Sequence, residues 1–137
     1  MEIRDFTIDD YDHAINLWQG TENIGLSSAD SRVATARFLE RNPGLSKVAW
    51  VGGKPVGTLL CGHDGRRGYL YHLCVDHAFR RQGAGRKLVD ACLEGLRGEG
   101  IQKCHLFIFG KNELGRRFWN GTGWSRRIEI EVFSRDI

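Results

Sequence analysis

Arg80-Arg81-Gln82-Gly83-Ala84-Gly85 is the run of this chain best suited to hold an anion. The residues ahead of it, Tyr69-Leu70-Tyr71-His72-Leu73-Cys74-Val75, are aromatic and apolar and read as a buried strand. Behind it, Leu88, Cys92 and Leu96, with Val89 and Leu93 beside them, recur at helical spacing. A strand that turns through glycine into a helix gathers unpaired main-chain N–H groups at the positive end of the helix dipole. Gly83 would let a phosphate approach the backbone, and Gly85 would let the helix lie close on the sheet. The arginines add charge, so the expected ligand carries a pyrophosphate.

Two familiar phosphate loops do not fit. A dinucleotide fingerprint needs a third glycine, but Arg86, Lys87 and Leu88 follow Gly85, and Cys104 and His105 stand where the ribose-binding acid is required. A Walker A loop needs Gly-Lys followed by Ser or Thr; Gly110-Lys111 is followed by Asn112. The pattern that remains is [QR]-x-x-G-x-[GA], filled by Arg80, Gly83 and Gly85. In this segment the chain resembles the GNAT superfamily of N-acetyltransferases, whose members use that loop for the pyrophosphate of acetyl-CoA.

The likeness extends over roughly residues 50 to 125. A second strand, Lys103-Cys104-His105-Leu106-Phe107-Ile108-Phe109, follows the breakers Gly98 and Gly100. Asn112 through Trp124 is similar to the family's ending, an asparagine, a short helix with an aromatic pair, then glycine and an aromatic. The resemblance implies an α/β fold in a single domain, residues 1–137. Its sheet would be mixed, mostly antiparallel and splayed between its central strands, with about four flanking helices. It also implies acetyl-CoA as co-substrate, a primary amine of a small molecule or peptide as acceptor, and direct transfer without a metal.

By the same likeness, the backbone of Leu73, Cys74 and Val75 would bond the pantetheine arm and the acetyl carbonyl, with the Val75 N–H as candidate oxyanion donor. Arg80, Arg81, Gln82, Gly83, Ala84, Gly85 and Arg86 would hold the pyrophosphate. Asn112 matches a cofactor-side asparagine, and a helix cap is the plainer role for it. Trp119 stands where many members carry the tyrosine that protonates the leaving thiolate. An indole N–H is a donor but far too weak an acid for that task. Relatives place a catalytic glutamate at the positions of Phe107 or Tyr69; neither is a carboxylate here.

Tyr71 and His72 are the substitutes on the strand before the loop. Being adjacent, they are expected on opposite faces. An imidazole could take a proton directly or through water, and a phenol could act as acid or orient the substrate. A core tyrosine and a structural histidine are the plain alternatives. Glu22, in a polar loop, is a further candidate for amine recognition. Cys74 lacks the paired base a nucleophile requires and reads as a small core side chain. With no family base in place, a non-catalytic acyl-CoA-binding sensor is the competing function.

The elements that must position these residues follow from periodicity. Ile3 to Thr7 reads as a strand, and a helix capped by Asp9 or Asp10 runs to about Trp18. After the loop Gln19 to Asp30, a second helix carries Val33, Ala34, Ala36, Phe38 and Leu39 and ends at Asn42-Pro43-Gly44. Val48 to Val51 and Val56 to Cys61 form a hairpin about Gly52-Gly53. Ile128, Ile130 and Val132 alternate with Glu129, Glu131 and Phe133, a half-exposed last strand whose edge suits a homodimer.

At 137 residues with 41% hydrophobic content, one core is expected. The charged start lacks a signal peptide's apolar region, and no run spans a bilayer, so a cytoplasmic protein without membrane contact is expected. Cys61, Cys74, Cys92 and Cys104 lie in apolar runs without metal-ligand spacing, as buried reduced thiols. The net charge of +3 is too small to argue for nucleic acid. Its distribution says more: through Asp30 seven acids face Arg4 alone, whereas the rest carries 10 acids and 19 bases. An acidic start could face a cationic amine while the basic body holds a polyanion.

Overall fold

Short apolar runs punctuated by glycine turns, alternating with helical repeats, produce nine regular elements in the computed structural model, which describes residues 1–137. They are β1 (Glu2–Asp5), α1 (Tyr11–Gln19), α2 (Arg32–Arg41), β2 (Lys47–Val51) and β3 (Lys54–His63), then β4 (Gly68–Val75), α3 (Ala84–Gly98), β5 (Cys104–Leu106) and α4 (Glu113–Gly121). The five strands lie in sequence order in one sheet. Neighbours β1 to β4 pair antiparallel, and β5 joins β4 in parallel, which makes an α/β fold on a mixed sheet.

Local chemistry sets the boundaries. Gly52 and Gly53 take φ of 56° and 76°, the two positive angles that a tight hairpin turn between β2 and β3 demands. At the start of α2 the Ser31 hydroxyl accepts the Ala34 N–H at 3.1 Å. Its end is closed by Asn42, which accepts the His63 N–H at 3.1 Å and ties the helix to the end of β3.

Helices cover both faces of the sheet. On one, Trp18 of α1 donates its indole N–H to Thr58 of β3 at 2.9 Å, within a core of Phe6, Ala14, Val48, Leu60 and Cys74. Neighbouring Gly57 turns to the other face, where a Cβ would meet Leu88 of α3 at 3.2 Å. Gly68 is tighter: a Cβ there would stand 2.6 Å from Leu96. The close seating of α3 therefore depends on glycines of the sheet beneath it.

The chain divides into two compact units, Met1–Phe107 and Ile108–Ile137. Within the second, buried Trp119 stacks edge-on with Phe118 and Trp124 at 4.9 and 5.0 Å. The expected last strand is not formed. Ile128, Val132 and Phe133 are 80, 64 and 91% exposed, and no segment pairs with them. Alternation assigns faces to a strand, but only a partner's N–H and C=O groups make one. The edge proposed for a homodimer is absent with it. For the same reason the expected strand from Lys103 to Phe109 contracts to Cys104–Leu106, the stretch that β4 pairs. No helix is long and apolar enough to cross a membrane.

Candidate active site

The loop between β4 and α3 is built as an anion cradle. Arg81 (φ 61°) and Gly83 (φ 84°) are both left-handed, which turns successive main-chain N–H groups to one side. Gly83 caps α3 with no side chain to satisfy the first turn. Helical bonding resumes only with Lys87 N–H to Gly83 C=O at 3.0 Å, so the N–H groups of Arg81 through Arg86 have no acceptor in the chain. A Cβ on Gly83 would meet nothing within 4 Å, so the space beside this turn of the loop is open. Arg80 does something different with its side chain: Nε donates to the Val75 carbonyl at 3.0 Å and braces the loop against the strand end.

Upstream, β4 carries a bulge. Thr58 lies opposite Cys74, but Leu60 lies opposite Tyr71, so His72 and Leu73 together face the single residue Leu59. His72 absorbs the extra residue at φ 57°, left-handed for a non-glycine. The bulge overturns the expected split of Tyr71 and His72 between faces. Both point toward α1 and α2: Tyr71 meets Phe38 edge-on at 6.1 Å, and the His72 ring lies 4.9 Å from that of Trp18.

On its far edge, β4 is paired only at Gly68–Leu70, leaving Tyr71 to Val75 without a neighbour on the β5 side. The splay expected between central strands thus opens here between β4 and β5, the last strand of the sheet. Asp76 N–H donates to the Val56 carbonyl at 2.8 Å, which makes Gly57 and Val75 a non-hydrogen-bonded pair. Val75 therefore turns its N–H away from β3, toward the gap. Cys74, in the alternate position opposite Thr58, directs its peptide groups to β3, so of these two only Val75 offers main-chain groups on the open edge. The Cys74 thiol is occupied by Thr21 Oγ1 at 3.0 Å, and burial pushes it above the ordinary thiol range. It is a core group and not a nucleophile.

On the face shared by Tyr71 and His72 lies a cavity of about 370 Å³, lined by Gly25, Ser27, Ala29, Asp30, Thr35, Phe38, Leu60, Tyr71 and His72. His72 Nε2 stands 2.7 Å from Asp30 Oδ1, and both side chains are nearly enclosed, at 13 and 9% exposure. The other Asp30 oxygen accepts the Ser27 N–H at 3.0 Å. A carboxylate oxygen at that distance calls for a proton on Nε2, and in a neutral ring Nδ1, which has no partner in the chain, is then the acceptor. Burial raises the Tyr71 phenol above its ordinary range, with the Tyr69 and Cys104 charges adding to the effect. That phenol therefore stays protonated at neutral pH.

The structure thus gathers Tyr71 and His72 at the cavity and places Val75 and the Arg81–Arg86 amides at the strand end and loop. Asn112 caps α4 through Oδ1, which accepts the Gly115 N–H at 2.9 Å, within the second unit together with Trp119. Glu22 is exposed and outside the cavity lining. Asp30 and Thr35 are the residues that sequence reading misses. Ser27-x-x-Asp30 is legible as a capping pattern, but nothing local says that the same carboxylate reaches His72.

Comparison with known proteins adds an independent line. Residues 11–124 match the acetyltransferase (GNAT) family. The chain is 34% identical over 113 residues to an acetyltransferase of Sodalis glossinidius (strain morsitans), covering 82% of this chain and 79% of that protein. Ard1 from Thermoplasma volcanium superposes with a TM-score of 0.79 at 23% identity, over 89% of this chain and 80% of its own. The PaiA N-acetyltransferase of Thermoplasma acidophilum, solved with coenzyme A, gives a TM-score of 0.76 at 18% identity, over 89% and 87%. At these identities the structural likeness is one of fold.

Proposed function

Because the chain belongs to the GNAT acetyltransferase family, we propose that it transfers an acetyl group from acetyl-CoA directly to a primary amine of a small molecule or peptide, with residues 1–137 working as one catalytic domain. The observation that carries this reading is the run of acceptor-free amides from Arg81 to Arg86 beneath an open Gly83. Such a cradle fits a diphosphate: it offers N–H groups, the positive end of α3 and open space at Gly83. When bound, acetyl-CoA supplies an activated thioester.

The chain's own groups meet the remaining requirements. Val75 N–H faces the gap and would receive the charge that grows on the carbonyl oxygen; one such donor is worth about 3 kcal/mol. His72 Nδ1 takes a proton from the incoming ammonium, directly or through water, and Asp30 holds the ring and balances the imidazolium that results. Carbon–nitrogen bond formation leaves a second proton to be shed by the nitrogen, and carbon–sulfur cleavage leaves a thiolate in need of one. An acid that protonates the sulfur recovers its proton from the nitrogen, directly or through water. Trp119 cannot give one, and the protonated Tyr71 phenol is the remaining acid on the cavity face. Arg80 keeps the loop and the Val75 carbonyl together, and Asn112 orders the start of α4.

A sensor that only binds acyl-CoA has no use for a nearly enclosed carboxylate–imidazole pair, which favours the enzyme. The test is incubation with acetyl-CoA and a panel of amines and matching alcohols, following free thiol and identifying the product by mass spectrometry. Acetamides are expected. Binding with no transfer, or esters in preference to amides, would overturn the proposal.

A further inference from the structure

The cavity beside His72 has a chemistry of its own, and its character bears on which amine the enzyme takes. Its volume of about 370 Å³ lies at the small end of ligand sites, which run from roughly 300 to 1,000 Å³. That is room for one ring or a short branched chain. Phe38, Leu60 and Tyr71 supply apolar walls, with Phe38 and Tyr71 set edge to face. Only one carboxylate, Asp30, lines the cavity, and its partner is a histidine. The lining thus offers one carboxylate among apolar walls, enough to balance one ammonium and no more. A polyamine or an aminoglycoside would bring several cations to a site with one counter-charge.

A second, independent feature is Thr35. Its side chain is 1% exposed and lines the cavity, yet its hydroxyl has no hydrogen-bond partner. Buried hydroxyls are rarely left unmade, because the orphan costs on the order of 1–3 kcal/mol. A polar group of a ligand in the cavity would complete that hydroxyl's bonding.

We propose that this cavity is the acceptor subsite and that it selects a monoamine: one ammonium at the Asp30–His72 pair, a compact apolar body against Phe38 and Tyr71, and one polar group on that body for Thr35. The inference rests on the amine acetylation proposed above and narrows its substrate class. Discrimination at Thr35 takes a definite form. A site built to bond a substrate hydroxyl handles poorly an analogue that lacks it.

The probes are 2-phenylethylamine and its 4-hydroxy analogue, against spermidine, kanamycin and a lysine-containing peptide, with kcat/KM taken from acetyl-CoA-dependent thiol release. Both monoamines should be preferred over spermidine and kanamycin by about tenfold or more, with the hydroxylated one ahead. Ala29→Trp, a change at an exposed lining position, should raise KM for the monoamines about tenfold while acetyl-CoA affinity, measured by calorimetry, stays within about twofold. Thr35→Val should erase the difference between the two monoamines. If spermidine, kanamycin or the peptide is acetylated faster, or Ala29→Trp leaves KM unchanged, the subsite is misassigned although the acetyltransferase reading stands. If acetyl-CoA does not bind, or no amine is acetylated, both fall.

Discussion

Replacing Asp30 with Asn tests the proton-transfer step, read as kcat at saturating amine because the same change removes the ammonium's counter-charge. The carboxylate serves two donors, His72 Nε2 at 2.7 Å and the Ser27 N–H at 3.0 Å. Asn keeps one acceptor oxygen and turns the other position into an NH2. Ser27 is a fixed backbone donor and claims the oxygen, so the amide nitrogen faces His72 Nε2. That nitrogen must then accept, and the ring proton moves to Nδ1. The lone pair that would receive the substrate proton is lost, although every heavy atom keeps its place. General-base catalysis contributes about 10²–10⁴-fold, so kcat should fall about a hundredfold or more. Loss of the charged hydrogen bonds should cost about 1–2 kcal/mol, a fall of a few degrees in Tm. The assay is thiol release from pH 6 to 10 with one amine, alongside calorimetric acetyl-CoA binding, which should not change. The deficit should shrink as pH rises and the amine arrives already neutral. A variant with wild-type kcat across that range, correctly folded, would refute the role of the pair.

Gly83→Val places a branched side chain at φ 84° in the open space above the loop amides, and acetyl-CoA affinity by calorimetry should drop by about a hundredfold; an unchanged affinity would move the diphosphate elsewhere. Thr58→Val removes the acceptor of the buried Trp18 indole N–H and should cost about 1–3 kcal/mol in urea unfolding, with no loss expected only if another acceptor takes its place. Burial holds the Cys104 thiol up at about 12 and lifts Cys74 and Tyr71 in the same direction, so the fold favours their neutral forms. That stability is complete below the ordinary thiol value near ~8.5 and is lost as pH climbs toward about 12. Urea midpoints should therefore fall steadily between pH 9 and 11, and a flat profile would contradict the placement of these groups.

Much of this architecture is legible in the chain because it is specified locally. Gly52-Gly53 fixes its hairpin, and Asn42-Pro43-Gly44 stops α2. Glycines after a strand announce the Arg80–Gly85 turn. What escapes is long-range. The bulge at His72 changes the face of a side chain by inserting one residue against Leu59, and no local pattern around an ordinary Tyr-His-Leu reveals it. Asp30 is visible as a cap, but its second bond joins residues that only the tertiary fold brings together. The alternation from Ile128 to Phe133 errs the other way: a clean strand signal with no partner to pair it.

The measurement nearest the centre of the account is amide mapping by nuclear magnetic resonance during titration with coenzyme A. The Arg81–Arg86 amides, which have no acceptor in the chain, and Val75 at the open edge of β4 should show the largest shifts, at a common saturation. Saturable binding that leaves these resonances still and perturbs others would contradict it.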